Sequence, residues 1–222
     1  MFSLDERLAL CASFVRKDTA LTDVGTDHAY LPVWLAKKGW IRSGAACDIR
    51  MGPLKNAAEN IEKYGVGAVV KAYLSDGLCN VPPEMAMDIV MAGMGGELIA
   101  AIIQKTQWLC DSHRRLILQP MTHAELLRVF LCENGFKIAE EKACVSGKKV
   151  YVVMVCAYDG VKRECTPLFQ YGGRLLEDNS EPSRLYKKKI AQQLSKRRLG
   201  LLENSKEAKV LDEVIIGLQA EE

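Results

Sequence analysis

From Leu4 to about Ala157 the sequence switches repeatedly between short apolar runs and segments with helical spacing, which limits the possible folds more than any other feature. Leu4, Leu8, Cys11 and Val15 recur every three or four residues and predict an amphipathic opening helix. A strand is expected over residues 20–24, closed by Gly25, and then a helix from Tyr30 to Lys38 ending near Gly39. Further strands are expected over 44–48, 69–74, 87–91 and 115–119, with helices over about 53–64, from the glycines after Met91 to Gln104, and over 123–133. Two last strands, 136–144 and 150–157, are separated by a loop that permits a hairpin but is too short for a parallel crossover.

Such alternation implies a parallel sheet with helices on both faces. The hairpin makes the sheet finish with an antiparallel strand. This α/β pattern, mostly parallel with a terminal antiparallel strand, is typical of Rossmann-like class I methyltransferases, although other folds allow it. After Gly160 the character changes: Pro167, Gly172, Gly173 and Pro182 predict a loop-rich stretch, followed by helices over about 183–202 and 203–218. Tyr186, Ile190, Leu194 and Leu201 lie on one side of the first, flanked by Arg184, Lys187, Lys188, Lys189, Lys196, Arg197 and Arg198. Val210, Leu211, Val214, Ile215 and Leu218 stripe the second, so the pair is expected to close as an antiparallel hairpin.

The chain has 222 residues, 49% hydrophobic and 26% charged, close to globular averages and far from those of disordered or fibrous chains. Thirty basic residues face 28 acidic ones, a balance that leaves any local polarisation hidden. No apolar run approaches the roughly 20 residues that span a bilayer, so no membrane partner is expected. Asp5, Glu6 and Arg7 charge the opening segment too early for a secretory leader, which predicts a cytoplasmic protein. Eight cysteines without a CxxC or CxxxC pair read as reduced thiols, with neither a disulfide framework nor a metal site.

In a doubly wound sheet, ligands bind beyond the carboxyl ends of the strands. Asp23-Val24-Gly25-Thr26-Asp27-His28-Ala29-Tyr30 stands just after the first strand, with Gly25 permitting a tight turn. A dinucleotide site would want G-x-G-x-x-G, but Asp27 and Tyr30 occupy the second and third glycine positions. A carboxylate there repels a pyrophosphate, so a cationic ligand without phosphates fits better, and S-adenosylmethionine is one. Asp48 ends the second strand at the distance expected of an acid that binds ribose hydroxyls. Asp76, in Ser75-Asp76-Gly77 after the third strand, is placed to accept from an adenine amino group. Each acid alone also reads as a turn residue; their conjunction after successive strands carries the inference. Ala92-Gly93-Met94-Gly95-Gly96 leaves little bulk above the fourth strand, which suits a flat substrate or, alternatively, a close helix–sheet contact.

The first and last of these motifs closely resemble the bacterial tRNA (adenine-22-N1)-methyltransferase family. Asp48 with Gly52-Pro53, Ser75-Asp76-Gly77, Leu118-Gln119-Pro120 and Tyr171-Gly172-Gly173-Arg174-Leu175-Leu176 extend the resemblance over nearly the whole chain. The resemblance implies a methyltransferase domain over 1–160 and a coiled-coil-like helical domain over 161–222. It further implies S-adenosylmethionine as donor, S-adenosylhomocysteine as product and tRNA as substrate, with no obligate protein partner. The Asn/Asp-Pro-Pro-Tyr/Phe signature of many amino-group methylases is absent after the fourth strand, which is compatible with attack by a ring nitrogen.

Adenine N1 keeps a lone pair at neutral pH, so alignment matters more than a base. N1 also lies on the Watson–Crick edge, so the adenine must arrive unpaired or flipped. The expected catalytic residues are Asp27 and His28, with the Gly93–Gly95 backbone as a competing source of carbonyls and the cofactor's amino group as another partner for Asp27. The expected cofactor residues are Asp23, Gly25, Thr26, Asp48, Asp76, Gly77, Ala92, Gly93 and Met94. Gly95, Arg184, Lys187, Lys188, Lys189 and Arg197 are expected to face RNA. Tyr30 is a candidate to stack on the base, although an aromatic at a helix start is more often core. Two other readings stand beside this one: a small-molecule methyltransferase with the same cofactor site, and an inactive RNA-binding module.

Overall fold

The computed structural model of the chain describes residues 2–203 and 205–220. Seven strands, β1 (Thr19–Val24), β2 (Ile41–Asp48), β3 (Val70–Leu74), β4 (Asp88–Gly95), β5 (Arg115–Thr122), β6 (Phe136–Ser146) and β7 (Lys149–Tyr158), form one sheet. Their order is β3-β2-β1-β4-β5-β7-β6. The pairings from β3 through to β5 are parallel, and β7 runs antiparallel to both β5 and β6. The strand that is last in sequence is antiparallel, as the short hairpin loop dictates, but it slots inside β6 and leaves β6 at the edge. The order reverses between β1 and β4, which opens a crevice at their carboxyl ends.

Helices α1 (Glu6–Ser13), α2 (Tyr30–Lys37), α3 (Met51–Lys63), α4 (Gly96–Lys105) and α5 (Ala124–Glu133) cover the sheet. Side chains alternate between its faces, as pleating requires. Val90, Ile117 and Val153 pack on one face with Cys11 of α1 and with Leu31 and Leu35 of α2. Ile89, Met91, Leu116, Leu118 and Met154 pack on the other with Ile99 of α4 and Leu127 of α5. All eight cysteines are free thiols, and burial pushes the Cys47 thiol up to about 12.

Two expectations need correction. Strand β4 does not stop at Met91 but runs through the glycine-rich segment to Gly95, pairing with β5 across two irregular steps. The stretch read as loop from its glycines and prolines contains α6 (Pro167–Gly172) and a 3-10 turn over Gly173–Glu177. Thr166 caps α6 by accepting from the Phe169 amide, and Pro167 opens the helix where its missing N–H costs nothing. The two glycines serve packing. A side chain on Gly172 would strike Leu176, and one on Gly173 would strike the Glu141 carboxylate and the Arg128 guanidinium.

That contact marks a buried ion pair. Arg128 of α5 donates from Nε to Glu141 Oε1 of β6 at 2.9 Å, and both side chains are fully enclosed. Its Nη1 donates to the carbonyls of Gln170 (2.9 Å) and Tyr171 (3.1 Å) at the end of α6. Glu141 Oε2 accepts the Arg174 amide, and the guanidinium lies 5.9 Å from the centre of the Tyr186 ring. Burial opposes the charge on Arg128, and the adjoining Glu141 carboxylate outweighs it, so the guanidinium stays protonated.

Helices α7 (Glu181–Arg198) and α8 (Lys206–Gln219) form the C-terminal hairpin. They share a core of Ala191, Leu194, Leu211, Val214 and Leu218, and Arg197–Glu207 and Arg198–Asp212 ion pairs cross between them. Tyr186 of α7 and Leu175 belong to the sheet's own core, so the hairpin is docked against β6 and β7. No described helix is long and apolar enough to cross a membrane.

Removing one member of a buried pair strands the other charge, which costs roughly 3–5 kcal/mol. Glu141→Ala is therefore expected to lower the unfolding free energy by about that much in urea titration. Gly173→Ala is also expected to destabilise, because its φ of +55° and the neighbouring ion pair both exclude a side chain. Wild-type stability in both variants would contradict this account.

Candidate active site

The turn after β1 is shaped by two residues in the left-handed region, Gly25 (φ +72°) and Ala29 (φ +54°). The Gly25 and Thr26 amides both donate to the Cys47 carbonyl at the end of β2, at 2.8 and 2.9 Å. Thr26 Oγ1 then accepts the Ala29 amide at 3.1 Å, which folds the chain over into α2. The turn thus exposes Asp27 and His28 at its crest, where the side chain of Asp27 is 66% exposed. His28 Nε2 lies 3.3 Å from Asp27 Oδ2, and the imidazole stacks on Tyr30 with ring centres 5.1 Å apart. Phe2 packs on Tyr30 from beyond, at 5.3 Å.

Below this crest is a cleft of about 430 Å³ at the carboxyl ends of β1 and β4. It brings together Asp23, Gly25, Thr26, Asp27, His28, Ala92 and Gly93 from the expected set, along with Tyr30. Asp23 is 7% exposed, and burial pushes its carboxyl up to about 6 despite help from Thr26 and Arg7. A buried acid in this state favours a cationic guest.

Arg7 and Arg50 also line the cleft, and the sequence reading did not single them out. Arg7 projects from α1 and donates through Nη1 to Gln119 Oε1 at 2.8 Å. The same oxygen accepts the Gly93 amide at 3.1 Å, while Gln119 Nε2 donates to the Pro120 carbonyl at 3.0 Å. Gln119 is completely buried, so this side chain fixes the Gly93 turn (φ +83°) to β5 and orients Arg7. Gln119 had one sequence signal, a polar residue ending an apolar strand. Arg7 had none, because helical periodicity reports only the packed side of α1.

The other expected residues lie at the same edge but outside the cleft. Asp48 is buried at the end of β2 and accepts the Arg50 amide at 2.8 Å, with Arg50 Nε 3.6 Å away. Asp76 follows β3, its side chain 61% exposed and 4.0 Å from Lys105 Nζ, while Gly77 takes a φ of +57° against Ile102. Met94 lays its thioether over Gly25, a contact that any Cβ on Gly25 would close off. Gly95 sits opposite Thr122 of β5 and caps α4, while Gly96 is required by the His123 carbonyl against it. The glycine-rich segment therefore serves both a left-handed turn at Gly93 and tight packing at Gly96.

The basic helix does not present one continuous stripe. Arg184, Lys188 and Lys189 are exposed, but Lys187 is only 6% exposed and Arg197 is engaged by Glu207. Lys187 was expected among the RNA-facing residues; its position on α7 turns it toward the α8 end instead, beside Leu218 and Gln219. Among the described residues no group of His, Cys, Asp or Glu is arranged to hold a metal.

A methyltransferase-domain family matches residues 4–154 of the chain. The tRNA (adenine(22)-N(1))-methyltransferase of Bacillus subtilis strain 168 is 32% identical over 165 residues, covering 71% of this chain and 69% of that protein. The crystal structure of the B. subtilis M1A22 tRNA methyltransferase TrmK superposes with a TM-score of 0.85 at 25% identity, covering 99% of this chain and 98% of that one. Streptococcus pneumoniae Sp1610 in complex with S-adenosyl-L-methionine superposes with a TM-score of 0.84 at 33% identity, over 99% and 98% of the two chains.

Asp23 makes stability depend on pH. Its folded value of about 6 lies above the ordinary 3.8, so between these values the folded protein binds the proton that the unfolded chain releases. Stability from this group is full below the lower value and is lost as pH rises through about 6. Asp23→Asn is expected to remove that slope and to stabilise the ligand-free protein at pH 7 by on the order of 3 kcal/mol. Urea titrations from pH 4 to 7 check it; an equal slope in the variant would refute the assignment.

Proposed function

The chain belongs to the tRNA (adenine(22)-N(1))-methyltransferase family, and from that premise we propose that it methylates N1 of adenine 22 in tRNA using S-adenosylmethionine. The observation that carries the reading is a buried carboxylate, Asp23, and a guanidinium, Arg7, lining one cleft at the strand-order reversal. An amino-acid moiety carries the two complementary charges, so Asp23 receives its ammonium group and Arg7 its carboxylate. The sulfonium of S-adenosylmethionine supplies an electrophilic methyl group at this site. Gly25, Thr26, Ala92 and Gly93 let the backbone approach the ligand closely, with the Met94 side chain packed over Gly25 beside it. Asp48 receives the ribose hydroxyls, and Asp76 beside Gly77 receives the adenine amino group.

Asp27 and His28 stand at the mouth, where an extruded adenine enters. Asp27 accepts from the exocyclic amine and turns N1 inward, and its carboxylate compensates the cationic ring that methylation leaves. His28 is held by Asp27 and Tyr30, and extends an aromatic surface on which the base stacks. No strong base is required, since N1 attacks through its own lone pair. Residues 1–160 carry this chemistry, and α7 in the coiled-coil-like domain presents Arg184, Lys188 and Lys189 to phosphates, with Gly95 facing the RNA from the end of β4. Lys187 and Arg197 contribute less to RNA affinity because one is buried and the other neutralised. This activity puts the protein in the cytoplasm with its substrate.

The direct test is to incubate the protein with labelled S-adenosylmethionine and unmodified tRNA and then map the modified nucleoside. The expected product is 1-methyladenosine at position 22; cofactor binding without transfer, or label elsewhere, would overturn the proposal. Calorimetry provides a second check. Because only ionised Asp23 holds the ammonium group, cofactor affinity is expected to fall about tenfold per pH unit below about 6 and to level off above it. In Asp23→Asn the affinity should be weak and independent of pH.

A further inference from the structure

A second cavity, of about 300 Å³, lies between the carboxyl end of β5, the start of β7 and the flank of α7 that carries Tyr186, Lys189, Ile190 and Gln193. We infer that it is a second nucleotide subsite, which seats an unpaired nucleotide flanking the target adenosine; this rests on the tRNA reading above. Its floor is apolar, made by Pro120, Val152, Tyr186 and Ile190. Its rim is polar, with Lys189 and Gln193 projecting from α7 and His123 standing opposite at the start of α5. Lys189 enters no ion pair among the described residues, its Nζ lying 3.5 Å from the Val150 carbonyl. Glu125 Oε1 is 3.4 Å from His123 Nδ1 and adds one acceptor to the rim.

An apolar floor with a few convergent polar groups is the chemistry of a nucleobase pocket, and the volume is at the small-ligand end of the range. A bare phosphate would find too little charge there, since Glu125 offsets part of Lys189. The position fits as well. Gly95, on the expected substrate side of the active-site turn, is paired with Thr122, which lines the second cavity. The cleft opens at the carboxyl end of β4, through Ala92 and Gly93, and the second cavity at that of the adjacent strand β5, so the two sites are neighbours along one sheet edge. Extruding an adenine unstacks the backbone on either side of it, and an RNA so opened presents a neighbouring base for capture.

Gln193 is exposed and tests the subsite without disturbing the core. Gln193→Trp, which fills the cavity, is expected to weaken tRNA binding at least tenfold in filter binding while leaving the calorimetric affinity for S-adenosylmethionine within twofold. A photoreactive phenylalanine at position 193 is expected to cross-link to a nucleotide within two positions of the methylated one. Unchanged tRNA affinity in Gln193→Trp, or cross-links only to distant parts of the tRNA, would overturn the subsite. Failure of the wild-type protein to methylate tRNA would overturn the functional reading itself, so the two failures are told apart.

Discussion

One enclosed ion pair determines how the two parts of this protein meet. Arg128 and Glu141 lie where α5, β6 and the end of α6 converge, and the guanidinium donates to the Glu141 carboxylate of β6 and to the Gln170 and Tyr171 carbonyls of α6. Charges so far from water are unfavourable unless their hydrogen-bonding groups are matched. The Gln170 and Tyr171 carbonyls and the Arg174 amide supply most of that matching, and a glycine at 173 is what lets the chain come close enough. The ion pair therefore sets the path of the chain into α7, and with it the wall that α7 builds beside the β5 tip.

The same helix joins that wall to the active-site cleft. Helix α5 begins at His123, a left-handed residue whose carbonyl rests on Gly96, one step beyond the glycine-rich turn. At its other side the turn is held by Gln119, which ties Gly93 to β5 and Arg7 to both. Cleft, turn, α5 and C-terminal helices thus form one mechanical chain.

Much of this was legible in the sequence because it depends on local pattern. The apolar runs identified all seven strands, and the short hairpin loop required the antiparallel one. The acids and glycines after successive strands fall along one edge of the sheet, since strand ends are set by the same runs. What escaped depends on contacts distant in the chain. Residues 167–177 read as loop because Gly172 and Gly173 resemble turn formers, whereas their role is to clear space for Leu176 and for the ion pair. Lys187 looked like one of a cationic group, and only the docking of α8 shows that it is covered. Arg7 carried no periodic signal at all, yet it reaches a residue more than a hundred positions away.

Native-state hydrogen exchange tests most directly the claim that the buried pair fixes the C-terminal helices to the sheet. Amides of α7 near Tyr186 should exchange as slowly as those of β5 and β7 in the wild type, and lose that protection in Arg128→Met while β1 and β4 keep theirs. Rapid α7 exchange in the wild type, or protection that survives Arg128→Met, would contradict the account.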